Sequence, residues 1–193
     1  AFISTVLSVV LGFGVVVASK WWRPSWVFAI FYPSIILPEI VMGVGILSLF
    51  FIVGAPLGYN SVIAGHTLVG LAFVVPMVSA RFHEIDPVLT EAAMDLGSTY
   101  FQTFIRIIFP LLSTTLLASA FIAFTLSLDD FFIAYFCSGP TLETVSLYVY
   151  TQVKSIADPS INALSVVLFA LSAIVAIILV WTKAMDGVMS HDK

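Results

Sequence analysis

Apolar residues in this chain run in long unbroken stretches instead of alternating with polar ones. Five stretches stand out, at roughly 1–19, 26–53, 61–80, 107–136 and 161–182. Each reaches the ~20 residues, at ~1.5 Å rise, that a helix needs to cross ~30 Å of hydrocarbon. Barrel strands alternate and are only ~9–11 residues long, so helices are predicted. The second and fourth stretches are the longest and contain Pro33, Pro38 and Pro110. They are predicted to be kinked or partly unwound, which a membrane tolerates only where protein or a cavity satisfies the freed backbone groups. The pattern reads as an all-α polytopic transmembrane bundle, one domain over residues 1–193.

Composition narrows the class. The 193 residues are 61% hydrophobic and only 9% charged. A soluble domain is about 45–50% apolar and about 25% charged; this chain in water would expose apolar areas that soluble monomers rarely carry. Disorder requires few apolar residues. Nucleic-acid binding requires a basic patch, whereas Asp and Glu outnumber Lys and Arg by 11 to 7. A disulfide scaffold requires paired cysteines, and Cys137 is alone.

The few charges then set orientation. The stretches are joined by Lys20–Ser25, Gly54–Asn60, Arg81–Arg106 and Cys137–Ser160. Lys20, Arg23, Arg81, Arg106, Lys183 and Lys193 fall on one side of the membrane, and only Lys154 on the other. Cytoplasmic loops are enriched in Lys and Arg, so the N-terminus is predicted outside and the C-terminus inside. Ala1 opens directly into an apolar run, without an initiator Met or the basic region of a signal peptide. The expectation is a fragment preceded by a further span.

The 81–106 loop is the most polar segment. Asp86 before Pro87 is a strong helix start, an N-cap carboxylate followed by proline at the first helical position. Gly97 is a natural stop. On the helix between them Val88, Leu89, Ala92 and Leu96 fall near one face, while Glu91 and Asp95 form an acidic ridge. Ser98 is the predicted cap of the next helix. A surface-lying membrane helix favours Lys and Arg on its polar face, which this one lacks. A docking element for a cytoplasmic partner, in the helix-in-groove mode, fits better.

The spacing Glu91-Ala92-Ala93, three residues, Gly97, nine residues, Ile107, one residue, Phe109-Pro110 resembles the E-A-A loop of ABC-importer permeases. Those permeases carry Leu-Pro where this chain has Phe-Pro. The resemblance implies the type I ABC-importer permease fold, with five of its spans present here. It also implies a coupling helix seated in a cleft of an ATP-binding cassette ATPase, with Glu91, Ala92, Ala93 and Gly97 as the partner-contacting residues. The chain has no G-x-x-x-x-G-K-[ST] motif to cradle a nucleotide phosphate. ATP would therefore be held by the separate ATPase subunit, and this chain would bind no cofactor and transmit motion instead of performing chemistry.

Three acids lie inside apolar stretches: Glu39, Asp129 and Asp130. Each costs roughly 2.5–3.5 kcal/mol at a span centre on the insertion scale, and such groups usually face a cavity, a partner or a transported ligand. Glu39 comes thirteen residues after Trp26, about 20 Å into its helix. Asp129 and Asp130 should sit near the outer mouth, about 33 Å beyond Ile107. Adjacent helical residues point ~100° apart, so one of the two is expected to face the lumen. Glu143 and Asp158 follow in the outer loop, where acids are more often simply solvated.

With Pro38-Glu39-Ile40-Val41-Met42, His66 and Asn162-Ala163-Leu164, the run from Ser127-Leu128-Asp129-Asp130 to Ser138-Gly139-Pro140 is similar to the spermidine/putrescine branch of these permeases, second subunit. The similarity implies a polyamine substrate, a homologous permease partner, a periplasmic binding protein and a place in the bacterial inner membrane. A linear polycation needs carboxylates along its path and aromatic faces for cation–π contact; Tyr135, Phe131, Phe132 and Tyr148 are candidates. A lone membrane histidine such as His66 is more often an interhelical hydrogen-bonding group than a metal ligand, and no Cys/His cluster has zinc spacing. Gly12-Phe13-Gly14 and Gly43-Val44-Gly45 are read as close-packing sites. Permeases for ferric iron, a phosphonate or another organic amine share the loop. An ion-coupled secondary transporter predicts inverted repeats, which the sequence does not display.

Overall fold

The apolar stretches become helices in the computed structural model, which describes residues 1–19, 31, 33, 35–140, 142–155, 162–170, 172–174 and 177. In chain order the helices are α1 (Phe2–Ser19), α2 (Glu39–Val53), α3 (Tyr59–Glu84), α4 (Pro87–Asp95), α5 (Tyr100–Asp129), α6 (Phe132–Cys137) and α7 (Val145–Ser155). Residues 162–170 and 172–174 are helical as well, and no strand occurs among the described residues. Among the described residues three helices are long and apolar enough to cross a membrane: α1, α3 and α5. Most of residues 26–34 in the second predicted stretch, the Lys20–Ser25 connection and much of 161–182 lie outside the described residues.

The second stretch breaks where its prolines predict. Leu37 bends, Pro38 takes an extended conformation (φ −57°, ψ 136°), and α2 starts at Glu39. The 61–80 stretch is longer in the structure, because Arg81, His83 and Glu84 continue the backbone ladder of α3 past the apolar core. The fourth stretch departs most. Its helix begins at Tyr100 instead of 107 and stops at Asp129; Asp130 is extended (φ −62°, ψ 123°), and α6 follows as a separate short helix. The kink expected at Pro110 takes the form of a π-turn at Phe104–Ile108. Proline has no N–H to offer the carbonyl four residues back, and a widened turn absorbs that loss.

Helix α3 is the centre of the bundle. Its residues Leu71, Val74, Val75 and Val78 form a core with Val16 of α1 and Ala123 of α5. A second core joins Ile46 of α2, Val62 of α3, and Ile133 and Cys137 of α6. Among lipid tails apolar burial drives little association, and close backbone approach matters more. Gly70 lies against Ser8 and Ala123, Gly65 against Ile133, Gly12 against Val74, and Gly43 against Phe132 and Phe136. Gly14 and Gly45, the second members of the two predicted pairs, face open space. Large apolar residues such as Phe51 and Ile52 point outward, 84% and 80% exposed.

Candidate functional site

The chain places its chemistry at two opposite ends of the bundle. At the first, an elbow, Asp86 Oδ1 accepts the Val88 N–H at 2.9 Å and Pro87 opens α4. The helix closes on Gly97, whose φ of +88° is the left-handed conformation that favours glycine. Its N–H bonds Met94 O at 2.9 Å, and Ser98 N–H bonds Ala93 O at 3.0 Å. The next helix is capped by Thr99, not by Ser98. Thr99 Oγ1 accepts from Gln102 N–H, and Gln102 Oε1 accepts from Thr99 N–H. That reciprocal box requires Glu or Gln three residues on, and Phe101 stands there for Ser98.

Of the four residues expected to contact a partner, only Ala93 is buried; Glu91, Ala92 and Gly97 are exposed. The apolar face is unpartnered too: Val88 is 59% and Leu96 88% exposed. Behind α4 lies a cavity of about 580 Å³, lined among others by Phe82, Thr90, Glu91, Met94 and Tyr100.

The second end is the corner where α5 breaks. Asp129 is the exposed last residue of α5. Asp130 is turned inward, with its side chain 7% exposed. Asp130 Oδ2 lies 3.1 Å from His66 Nε2 on α3 and accepts the Ala134 N–H of α6 at 3.1 Å. The Asp130 carbonyl accepts the Ser146 hydroxyl of α7 at 2.7 Å. His66, 5% exposed, turns its Nδ1 to Ser127 Oγ at 2.6 Å, and Ser127 Oγ meets Ser4 Oγ of α1 at 3.1 Å. The network through Asp130, His66 and Ser127 thus ties five helices together. A cavity of about 430 Å³ opens beside this network, lined in part by Ser4, Tyr59, His66, Ser127 and Glu143.

Next to the corner lies an aromatic cluster. The Phe131 ring is 5.5 Å from Tyr135 and 4.7 Å from Tyr150. Lys154 Nζ sits 4.5 Å from the centre of the Tyr150 ring. Hydrogen bonding to the Tyr150 side chain holds the Lys154 ammonium above the usual lysine range. Tyr150, and not Tyr148, completes the cluster that the sequence reading sought around Tyr135. Glu39 stands apart, exposed in the first turn of α2. Among the described residues no ion pair involves Glu39, and no group of three or more His, Cys, Asp or Glu could hold a metal ion.

The helix ends set the electrostatics of these acids. Glu39 lies at the partly positive start of α2, which stabilises a carboxylate. Asp129 lies at the partly negative end of α5, which does not. Asp130 has hydrogen-bonding partners of its own, whereas the Asp129 side chain is exposed.

Residues 7–189 match the family described as the binding-protein-dependent transport system inner membrane component. The spermidine/putrescine transport system permease protein PotC of Escherichia coli K12 is 38% identical over 140 residues, 72% of this chain and 53% of that protein. The putrescine transport system permease protein PotI of the same strain is 33% identical over 150 residues, 75% of this chain and 53% of that protein. The chain spans about half the length of these relatives. A solved structure, the inward-facing MetNI methionine ABC transporter, superposes with a TM-score of 0.68 at 22% identity, covering 92% of this chain and 87% of that one. The fold is therefore that of a type I ABC-importer permease, and the chain is a multi-pass membrane protein.

Proposed function

Since the chain belongs to the family of binding-protein-dependent transport system inner membrane components, we propose that it forms part of a permease subunit that carries polyamines, spermidine or putrescine, into the cytoplasm. The elbow then faces the cytoplasm and the corner faces outward, in the bacterial inner membrane, with the C-terminus inside. A homologous permease completes the path, ATP-binding cassette ATPases dock at the elbows, and an external binding protein delivers the substrate. Glu91, Ala92, Ala93 and Gly97 form the coupling surface. Closure of the ATPases draws the two α4 helices together, and the bundles rock between inward- and outward-facing states.

One observation carries the polyamine reading beyond the named relatives: Asp129, exposed at the negative end of α5, comes two residues before Phe131, whose ring packs with Tyr135 and Tyr150. Carboxylates and aromatic faces are the two groups that recognise alkylammonium ions. Glu39 offers a second carboxylate farther along, and Asp130 contributes by holding the corner in place. The test is spermidine uptake by Asp129→Asn and Glu39→Gln variants at matched expression. The proposal expects uptake to fall in both; wild-type uptake in both contradicts cation capture by these acids. A competition panel with ferric iron, a phosphonate and other organic amines tests the substrate class.

A further inference from the structure

The lengths of the hydrogen bonds at the corner favour one proton count. Ser4 has one hydroxyl proton and lies 2.8 Å from the Ala1 carbonyl, which only accepts, and 3.1 Å from Ser127 Oγ. Taken by length, Ser4 donates to this carbonyl, which also accepts from Thr5 N–H and Thr5 Oγ1, and in the contact with Ser127 it accepts. Ser127 therefore spends its own single proton on Ser4 and must accept at its other contact. That contact is His66 Nδ1 at 2.6 Å, so Nδ1 carries a proton. On the other side of the ring Nε2 faces Asp130 Oδ2 at 3.1 Å, and a hydrogen bond there needs one more proton, on either atom. The Ala134 N–H also donates to Oδ2, leaving that oxygen with an acceptor's share in both arrangements.

From this we infer that His66 and Asp130 form a net-neutral pair, with His66 as a positioning residue for the outer corner. Whether written as imidazolium with carboxylate or as imidazole with carboxylic acid, the pair holds two protons and no net charge. A bare carboxylate with a side chain 7% exposed among membrane helices is expensive, and a paired one is less so. The corner in turn sets the start of α6 and the seat of α7 through Ala134 N–H and Ser146 Oγ, and so aims Phe131, Tyr135 and Tyr150. Asp130 differs in this from its neighbour: Asp129 attracts the cargo, and Asp130 with His66 shapes the wall.

Substituting each partner separates this inference from cation capture by Asp130. His66→Gln keeps an amide donor for Asp130 but removes the N–H that faces Ser127 and leaves the carboxylate unneutralised. Asp130→Asn removes the charge, and the neutral imidazole keeps its Nδ1 proton for Ser127 while Nε2 accepts from the asparagine amide. The inference expects His66→Gln to be the damaging single change, lowering uptake at least about tenfold. Asp130→Asn should stay within about threefold of wild type, and the double variant His66→Gln/Asp130→Asn should recover most of the loss. Cation capture by Asp130 predicts the reverse, with Asp130→Asn worst and the double variant no better. The transport readout rests on the polyamine reading, so thermal unfolding of the purified complexes is measured alongside; the same order of variants is expected there. Absence of spermidine uptake in the wild type overturns the polyamine reading and leaves the melting order to decide the pair. A double variant that melts no higher than His66→Gln, or accumulates no better, overturns the inference.

Discussion

The corner and the elbow treat their polar and apolar groups in opposite ways. At the corner the chain supplies its own partners. Asp130 is engaged by α3, α6 and α7, and the polar chain continues through Ser127 to α1. At the elbow Val88, Leu89 and Leu96 are exposed, Glu91 and Asp95 stand in the open, and only Ala93 is buried. The local geometry of the elbow is nevertheless closely specified by the Asp86 cap, the Gly97 turn and the Thr99–Gln102 box. A rigid backbone presenting an unsatisfied surface is what a docking element needs, because pre-organisation lowers the ordering cost of association. A satisfied network is what a wall needs.

The contrast is broken most severely at Gly97. A β-branched residue at φ +88° is strained by about 1–3 kcal/mol, enough to move or unseat α4. Gly97→Val is expected to cut substrate-stimulated ATP hydrolysis of the assembled transporter by roughly fivefold or more. No side chain lies within 4 Å of the position, so the damage is to conformation and not packing. Gly97→Asn, which tolerates the left-handed region, should retain more coupling than Gly97→Val; equal loss would point to packing instead.

A smaller effect is expected at Asp86. Its carboxylate holds the first turn of α4 through Val88 N–H, and Asp86→Ala should cost about 1 kcal/mol of local helix stability. Faster amide exchange confined to α4, with exchange in α3 and at the corner unchanged, is the expected readout. Exchange spreading into α3 would mean that the elbow is less independent of the bundle than the contacts indicate.

The smallest effect concerns the corner's outer face. Lys154 already occupies the Tyr150 ring, where a cationic substrate would sit. Lys154→Met should lower the half-saturating spermidine concentration by about twofold, the scale of an exposed cation–π contact. A raised value would show that Lys154 assists capture. The ammonium's pKa is raised in the folded protein, so its contribution is fully present below the ordinary lysine range and is lost as pH rises through the raised value. Any competition by Lys154 should therefore fade only at strongly alkaline pH.

What the sequence made legible follows how local each feature is. The α4 helix, its Asp86–Pro87 start and its Gly97 stop depend on neighbours within a few residues, and they read correctly. The break before Glu39 followed from Pro38. Pro110 pointed to a kink but not to its form; the π-turn brings Phe104, with Phe109 beyond it, against Phe13, more than ninety residues away in the chain. The division of the fourth stretch at Asp130 was hidden, because Phe131 to Phe136 are as apolar as a span. The partner of His66 was invisible for the same reason: Ser127 and Asp130 lie 61 and 64 positions away. The available signal was that Ser127 and Asp130 stand three apart near a helix end with a lone histidine in another span. Tyr150 escaped notice because Cys137–Ser160 reads as a connection, and the helix α7 that carries Tyr150 is not expected there.

The measurement that tests the central claim most directly is uptake of radiolabelled spermidine by cells lacking their own polyamine importers. The cells carry this permease in full length with its cognate permease, ATPases and binding protein. Uptake that depends on ATP hydrolysis, competes with putrescine and disappears when this permease is omitted is the predicted result. A complex that assembles and hydrolyses ATP, yet moves another solute and leaves spermidine outside, would contradict the account.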